Sequence, residues 1–249
     1  MSIITKTDAE IDLMREPCAI VRDTLAFVGE RISAGMSTKE VDELVERFIR
    51  AAGAYPSCLG YGGFPASACV SVNEVVVHGI PDDKTILKDG DIVSVDLCAY
   101  KNGFHGDAAR TFLIGNVLEE KRLLVERTKE CFFKGIENLH AGTPLYDIGY
   151  RVQKYAESFG YGVIRSYTGH GIGREMHEDP AVPNYGRLGT GPRLKANTVI
   201  CIEPMISMGN YRVRILDDDW GAVTIDGSPA AHYENTVAVR EDGVEILTL

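Results

Sequence analysis

Four acids and one histidine, Asp96, Asp107, His170, Glu203 and Glu234, stand in or beside strand-like runs of this 249-residue chain: VSVDL, GDAARTF, YTGHGIG, VICIEP and HYENTVAV. The runs are otherwise mostly small or apolar. A carboxylate in such surroundings is costly unless a cation lies beside it. Four brought together would repel one another and hold protons, unless divalent metal neutralised them. Oxygen-rich ligation with one imidazole suits a pair of Mn, Fe, Co or Zn ions. Any one of these residues alone reads as a satisfied polar group in a core; the set together points to metal chemistry.

Asp96 and Asp107 flank an Asn102-Gly103 turn, which places them on opposite arms of one hairpin and able to share a face. Many surface hairpins carry two acids, but Asp96 ends an apolar strand. Glu203 and Glu234 are placed to do the same on strands joined by the longer connection from Ser207 to Ser228. The glycines of Gly169-His170-Gly171-Ile172-Gly173 lack the Lys-Ser/Thr of a P-loop and the strand–helix setting of a dinucleotide fingerprint. They suit close backbone approach around His170 instead. His177 follows seven residues later in MHEDP. His78 ends the run VVVH and fits a loop histidine as well as a site residue.

The elements that must position these groups repeat. A shift of 107 positions carries Ala34–Gly53 onto Ala141–Gly160, matching Val41 with Ile148, Val45 with Val152 and Phe48 with Tyr155. Each copy reads as an amphipathic helix stopped by glycine. The same shift carries LKDGDIVSVD onto LKANTVICIE and so Asp96 onto Glu203. One chance alignment is the alternative, which the matching acids weaken. The pattern predicts two similar halves, about 8–116 and 117–249, facing one cleft within a single domain. Thr7-x-x-Glu10 and Ser37-x-x-Glu40 are capping boxes for helices running to about Arg31 and Gly53. Strands are expected over Ala68–Val72, Asp91–Leu97 and Gly106–Ile114, and helices over about Glu119–Leu139 and Leu145–Phe159. Strand and loop follow from about Val163. Helices with antiparallel hairpins make the class α+β.

A net charge of −10 argues against an extended nucleic-acid surface. No apolar run approaches the roughly 20 residues of a membrane span, and the first residues lack a basic-then-apolar signal. The expectation is a cytoplasmic protein. The six cysteines form no CxxC pair, so a disulfide framework is not expected and most are read as buried thiols.

The segments NEVVVHGIP, DLCAYKNGFHGDAARTF, GHGIGREMHEDP, IEPM and HYENT resemble the signature segments of type I methionine aminopeptidases. These are enzymes of the pita-bread fold that remove the initiator methionine from new proteins. The resemblance covers nearly the whole chain and carries seven motif residues in order. It implies that Asp96, Asp107, His170, Glu203 and Glu234 bind two divalent ions. Asp107 and Glu234 would bridge both, His170 and Glu203 would complete one site, and Asp96 would chelate the other. Glu203 would also act as base, His177 would contact the scissile carbonyl, and His78 would lie near the scissile nitrogen. Cys58, Tyr61, Phe64, Cys69 and Trp220 would line the methionine pocket, with ordinary core packing the lesser alternative for Phe64 and Trp220. Met176 stands before His177 where an aromatic residue often stands in relatives. A monovalent cation near Asn73 and Val75 is implied by the resemblance alone. The implied partners are peptides and nascent chains beginning with methionine, with transient ribosome contact, and the implied state is a monomer.

Two other branches share the fold. Aminopeptidase P and prolidase usually carry a further N-terminal domain, and type II methionine aminopeptidases carry a long insertion in the second half. Neither feature is visible in this sequence. Some relatives lose metal ligands and serve as peptide- or histone-binding modules; here all five acids and imidazoles are present, with His78 and His177.

Overall fold

The computed structural model describes residues 3–249. Two helices open the chain, α1 (Asp8–Gly29) and α2 (Thr38–Ala51), each begun by a closed capping box. Thr7 and Ser37 accept from the backbone N–H three residues on, while Glu10 and Glu40 reach back to the cap. After a short strand β1 (Tyr55–Pro56) come β2 (Cys69–Val72), β3 (Val75–Val77) and the hairpin β4 (Ile92–Lys101) and β5 (Phe104–Leu113). β4 pairs with β5 along one edge, and with β2 and then β1 along the other.

The second half repeats this plan with more strands. Helices α3 (Glu119–Gly135) and α4 (Tyr146–Glu157) precede β6 (Gly162–Val163), β7 (Gly169–Gly171) and β8 (Glu178–Val182). Then follow β9 (Val199–Ile202), β10 (Met205–Ser207), β11 (Val213–Ile215), β12 (Ala222–Thr224), β13 (Ala230–His232), β14 (Asn235–Val239) and β15 (Val244–Ile246). A five-stranded sheet runs in the order β15-β14-β9-β7-β8, and two three-stranded sheets run β13-β10-β6 and β11-β12-β3.

The 107-position shift holds in the hydrogen bonds. Gly35 N–H donates to Leu87 O and Leu87 N–H returns to Met36 O; Gly142 donates to Leu194 O and Leu194 returns to Thr143 O. Isolated bridges join Ser37 to Ile86 and Pro144 to Arg193. Gly35 and Gly142 both take a left-handed φ, 95° and 92°, which favours glycine in each copy. The buried stripes match as well: Val41, Val45 and Ile49 on α2, and Ile148, Val152 and Ala156 on α4, are fully buried. Burying an aliphatic side chain of this kind contributes about 1.5–3 kcal/mol. The third matched pair is thus Ile49 with Ala156, while Phe48 and Tyr155 are half-buried at the rim of the stripe.

Two expectations need adjustment. The third helix ends at Gly135 rather than Leu139, because the chain turns through a left-handed Asn138 (φ 56°). Asp96 does not end its strand. All ten residues of β4 find partners in β5, so the strand continues to Lys101 and Asp96 lies in its middle.

Candidate metal centre

The β4–β5 register sets the first two carboxylates. Asp96 lies opposite Ala109 and Cys98 lies opposite Asp107, so Asp96 and Asp107 are diagonal neighbours on one face of the hairpin. Gly106 lets α1 press against that hairpin: a Cβ there would stand 2.6 Å from Cys18 N. In the second half Asn235 pairs with Ile202, so Glu203 and Glu234 emerge together, one residue beyond the β9–β14 ladder. Glu234 N–H donates to Ala109 O at 3.1 Å, tying the second pair of acids to the first hairpin.

His170 enters from β7, where glycine is required on both sides. A Cβ on Gly169 would lie 2.2 Å from Cys201 O, and one on Gly171 2.3 Å from Asp179 O. The reason is close approach, as the sequence suggested. His170 Nδ1 donates to Gly171 O at 2.9 Å, which leaves the Nε2 lone pair facing Glu203 Oε1 at 3.6 Å and Asp107 Oδ2 at 4.0 Å. Burial, then the neighbouring His177, lowers its pKa to about 3, so the imidazole is neutral.

The carboxylates behave in the opposite sense. Burial raises Asp96 to about 7, although it is the most accessible of the four. Burial first, then the neighbouring acids, pushes Asp107, Glu203 and Glu234 well above the carboxylate range. Asp107 Oδ1 and Glu234 Oε1 are buried and accept no hydrogen bond among the described residues. Atoms of Asp107, His170, Cys201 and Glu234 all lie within 4.8 Å of one another. Two orphaned carboxylate oxygens and an exposed imidazole lone pair form a donor set that fits a hard or borderline divalent cation. Cys201 fits less well: burial and then the Glu234, Asp107 and Glu203 charges hold its thiol protonated, and it packs on Thr236 Oγ1 at 3.7 Å.

The acids open onto a cavity of about 220 Å³. Every residue singled out in the sequence lines it except Asn73 and Val75. Phe64 and Trp220 meet edge to face at 5.1 Å, close to Cys58 and Cys69. Met176 is buried in the apolar cluster that includes Met14, Cys18 and Ile172 while lining the cavity. His177 is exposed, and its Nδ1 pairs with Tyr61 Oη at 2.8 Å. Its ring lies 4.2 Å from that of His170. His78 takes a left-handed φ of 59° and packs edge-on against Tyr167 at 5.1 Å. Asn73 lies outside the cavity in a left-handed turn (φ 50°), where its side-chain oxygen accepts from Lys121 Nζ. The six cysteines are unpaired, and all but Cys58 are buried.

Tyr167, Thr168, Met205 and His232 also line the cavity and were not anticipated. Tyr167 and Thr168 directly precede the Gly-His-Gly run, and His232 stands two residues before Glu234; these adjacencies were the available signals. Glu178 was missed too. Its carboxylate meets Lys6 Nζ at 2.5 Å and accepts from Arg174 N and Glu175 N, which holds the loop bearing His177.

Comparison with known proteins agrees with this geometry. A model of metallopeptidase family M24 matches residues 12–241. A methionine aminopeptidase of Clostridium acetobutylicum is 55% identical over 247 residues, with 99% of each chain covered. The crystal structure of methionine aminopeptidase from Rickettsia prowazekii superposes with a TM-score of 0.98 at 41% identity over the whole of both chains. Prolidase from Pyrococcus furiosus reaches 0.79 at 26% identity, with 99% of this chain but 66% of the prolidase covered. The architecture is the pita-bread fold, and the chain is a metal-dependent hydrolase. The chain belongs to metallopeptidase family M24, beside the methionine aminopeptidases it matches end to end.

Proposed function

We propose that this chain removes the initiator methionine from nascent proteins and peptides whose second residue is small. The observation that carries the reading is the cluster of buried, cation-seeking carboxylates at the floor of a cavity walled by thiol, thioether and aromatic groups. Such walls suit a polarisable thioether side chain.

In this reading the chain is one catalytic domain whose halves share the cleft. Asp96, Asp107, His170, Glu203 and Glu234 would together hold two divalent ions, with Asp107 and Glu234 shared between the sites, His170 and Glu203 serving one and Asp96 the other. Mn, Fe, Co and Zn all suit this set. Bound there, the ions supply Lewis acidity and lower the pKa of the attacking water. The residues supply the rest. A Glu203 carboxylate oxygen accepts a proton from that water. If Tyr61 Oη donates to His177 Nδ1, the His177 proton sits on Nε2, ready to donate to the scissile carbonyl oxygen as negative charge develops. As the C–N bond breaks, the leaving nitrogen takes up a proton on the side where His78 lies. The free α-amine is recognised at the Asp96 end of the cluster, which restricts cutting to N-terminal residues. Asn73 and Val75 would hold a monovalent cation, a role that rests on the resemblance alone.

The same reading places the enzyme in the cytoplasm as a monomer, meeting nascent chains with transient ribosome contact. No helix among the described residues is long and apolar enough to cross a membrane. The test is amino-acid release from Met-Ala-Ser and from Ala-Pro-Ala, side by side, after chelator stripping and return of Mn or Co. Metal-restored release from Met-Ala-Ser alone supports the proposal. Preference for Ala-Pro-Ala would move the activity to a proline-specific peptidase, and no release from either would leave a binding module.

A further inference from the structure

Glu203 stands between two imidazoles. His170 Nε2 lies 3.6 Å from Oε1, and His232 Nε2 lies 3.8 Å from Oε2. His232 ends β13, is 2% exposed, and lines the cavity. Its backbone is fixed by one hydroxyl: His232 N–H donates to Thr111 Oγ1 at 3.0 Å, and Thr111 Oγ1 donates to His232 O at 2.8 Å. The ring is different. Neither Nδ1 nor Nε2 has a hydrogen-bond partner among the described residues. A buried imidazole always carries at least one N–H, and a buried N–H without an acceptor is unfavourable. Glu203 Oε2 is an acceptor already facing it. A shift of about 1 Å would bring the pair to hydrogen-bond distance.

We infer that His232 is a positioning residue for Glu203: its Nε2–H holds Oε2 and so presents Oε1 on the His170 side of the cluster. Ligating carboxylates depend on such outer partners for their orientation, because a carboxylate on a two-carbon stem otherwise rotates freely. Main-chain support reaches Glu203 from Asn184 Nδ2, which donates to Glu203 O at 2.8 Å but leaves the side chain unconstrained. The inference rests on the proposed role of Glu203 as ligand and base.

The test compares wild type, His232→Leu, His232→Gln and Glu203→Gln. Each is stripped of metal and checked for folding by circular dichroism. Each is then titrated with Co by calorimetry and by the visible Co spectrum, and assayed on Met-Ala-Ser. The inference expects His232→Leu to bind Co about 10–100-fold more weakly, with an altered spectrum, a lower kcat and an unchanged KM. His232→Gln keeps an N–H donor and recovers most of the loss. Wild-type affinity and spectrum in His232→Leu would overturn it, as would a raised KM with unchanged kcat, or a Gln variant no better than Leu. Glu203→Gln separates the two levels. If that variant binds Co and turns over normally, the ligand role of Glu203 itself fails. If it loses both while His232→Leu loses neither, only the positioning role of His232 fails.

Discussion

Asp107 and Thr236 share one hydroxyl across the cleft between the two halves. Thr236 Oγ1 donates to Asp107 O at 2.8 Å and accepts from Asp107 N at 3.1 Å. Thr236 is fully buried, so no water replaces it. Thr236→Val keeps the shape but leaves the Asp107 N–H and C=O both unpaired. Loss of about 2–4 kcal/mol in urea unfolding of the metal-free protein is expected, with weaker metal binding. Unchanged stability would mean that the backbone of Asp107 finds other partners.

Asp107→Asn removes one of the four crowded carboxylates. Turnover is lost and metal binding weakens, while the metal-free variant melts higher than wild type because like-charge crowding is relieved. Near-normal turnover would sink the assignment of Asp107 between the two ions.

The pH response of the metal-free protein follows from the raised pKa values. Asp96 titrates near 7 in the fold against an ordinary 3.8, and Asp107, Glu203 and Glu234 are raised further by burial and mutual repulsion. At these four groups the native state holds more protons than the unfolded chain once pH exceeds the ordinary carboxylate range, so their contribution to stability falls as pH rises. Glu10 and Glu245 are lowered and act oppositely, with a contribution complete above about pH 5, and so do His78, His105, His170, His177 and His232, which burial holds neutral and whose contribution is complete only above about pH 7. The melting temperature of stripped protein should therefore fall as pH rises above about 7, where the histidines no longer offset the acids, and the rise produced by added metal should be largest at the upper end. A flat profile would contradict the clustering of the acids.

Lys6→Met leaves the Glu178 carboxylate buried without its cation, their side chains being 4% and 7% exposed. Breaking such a pair destabilises by about 3–5 kcal/mol. It also frees the loop that carries His177, so kcat on Met-Ala-Ser should fall. Adding Glu178→Gln to Lys6→Met should restore much of the stability. Equal melting of wild type and Lys6→Met would show that the pair is solvated.

On the proposed function, second-residue preference would be set beside the acid cluster, in a cavity of about 220 Å³. Met-Ala-Ser should be cut faster than Met-Leu-Ser or Met-Arg-Ser, read as kcat/KM. Equal rates across the series would contradict a confined site.

What the sequence disclosed was local or repeated. The Asn102-Gly103 turn fixed the hairpin on which Asp96 and Asp107 share a face, and the 107-position shift anticipated the matched bonds at Gly35 and Gly142. Both capping boxes formed where Thr7 and Ser37 placed them. Contacts between distant positions were not legible. Lys6 and Glu178 are 172 residues apart, and nothing near either residue announces the other. His232 looked like part of a signature run, because sequence shows neighbours along the chain and not the carboxylate across the cavity. Arg110 is similar: its guanidinium holds Glu234 O, Asn235 Oδ1 and Thr248 O, and lies 4.3 Å over the Tyr233 ring.

The division of the cluster between the halves has a consequence for the life of the molecule. Asp96 and Asp107 come from one half, and His170, Glu203 and Glu234 from the other. On the proposed ligand set, metal acts as a rivet: filling the cleft and holding the halves shut are one equilibrium. In a molecule deprived of metal, ionisation of the crowded acids would weaken the seam between the halves, and opened chains are what proteases remove. Metal scarcity would then thin the enzyme population itself, and the amount of this protein in a cell would record its metal supply.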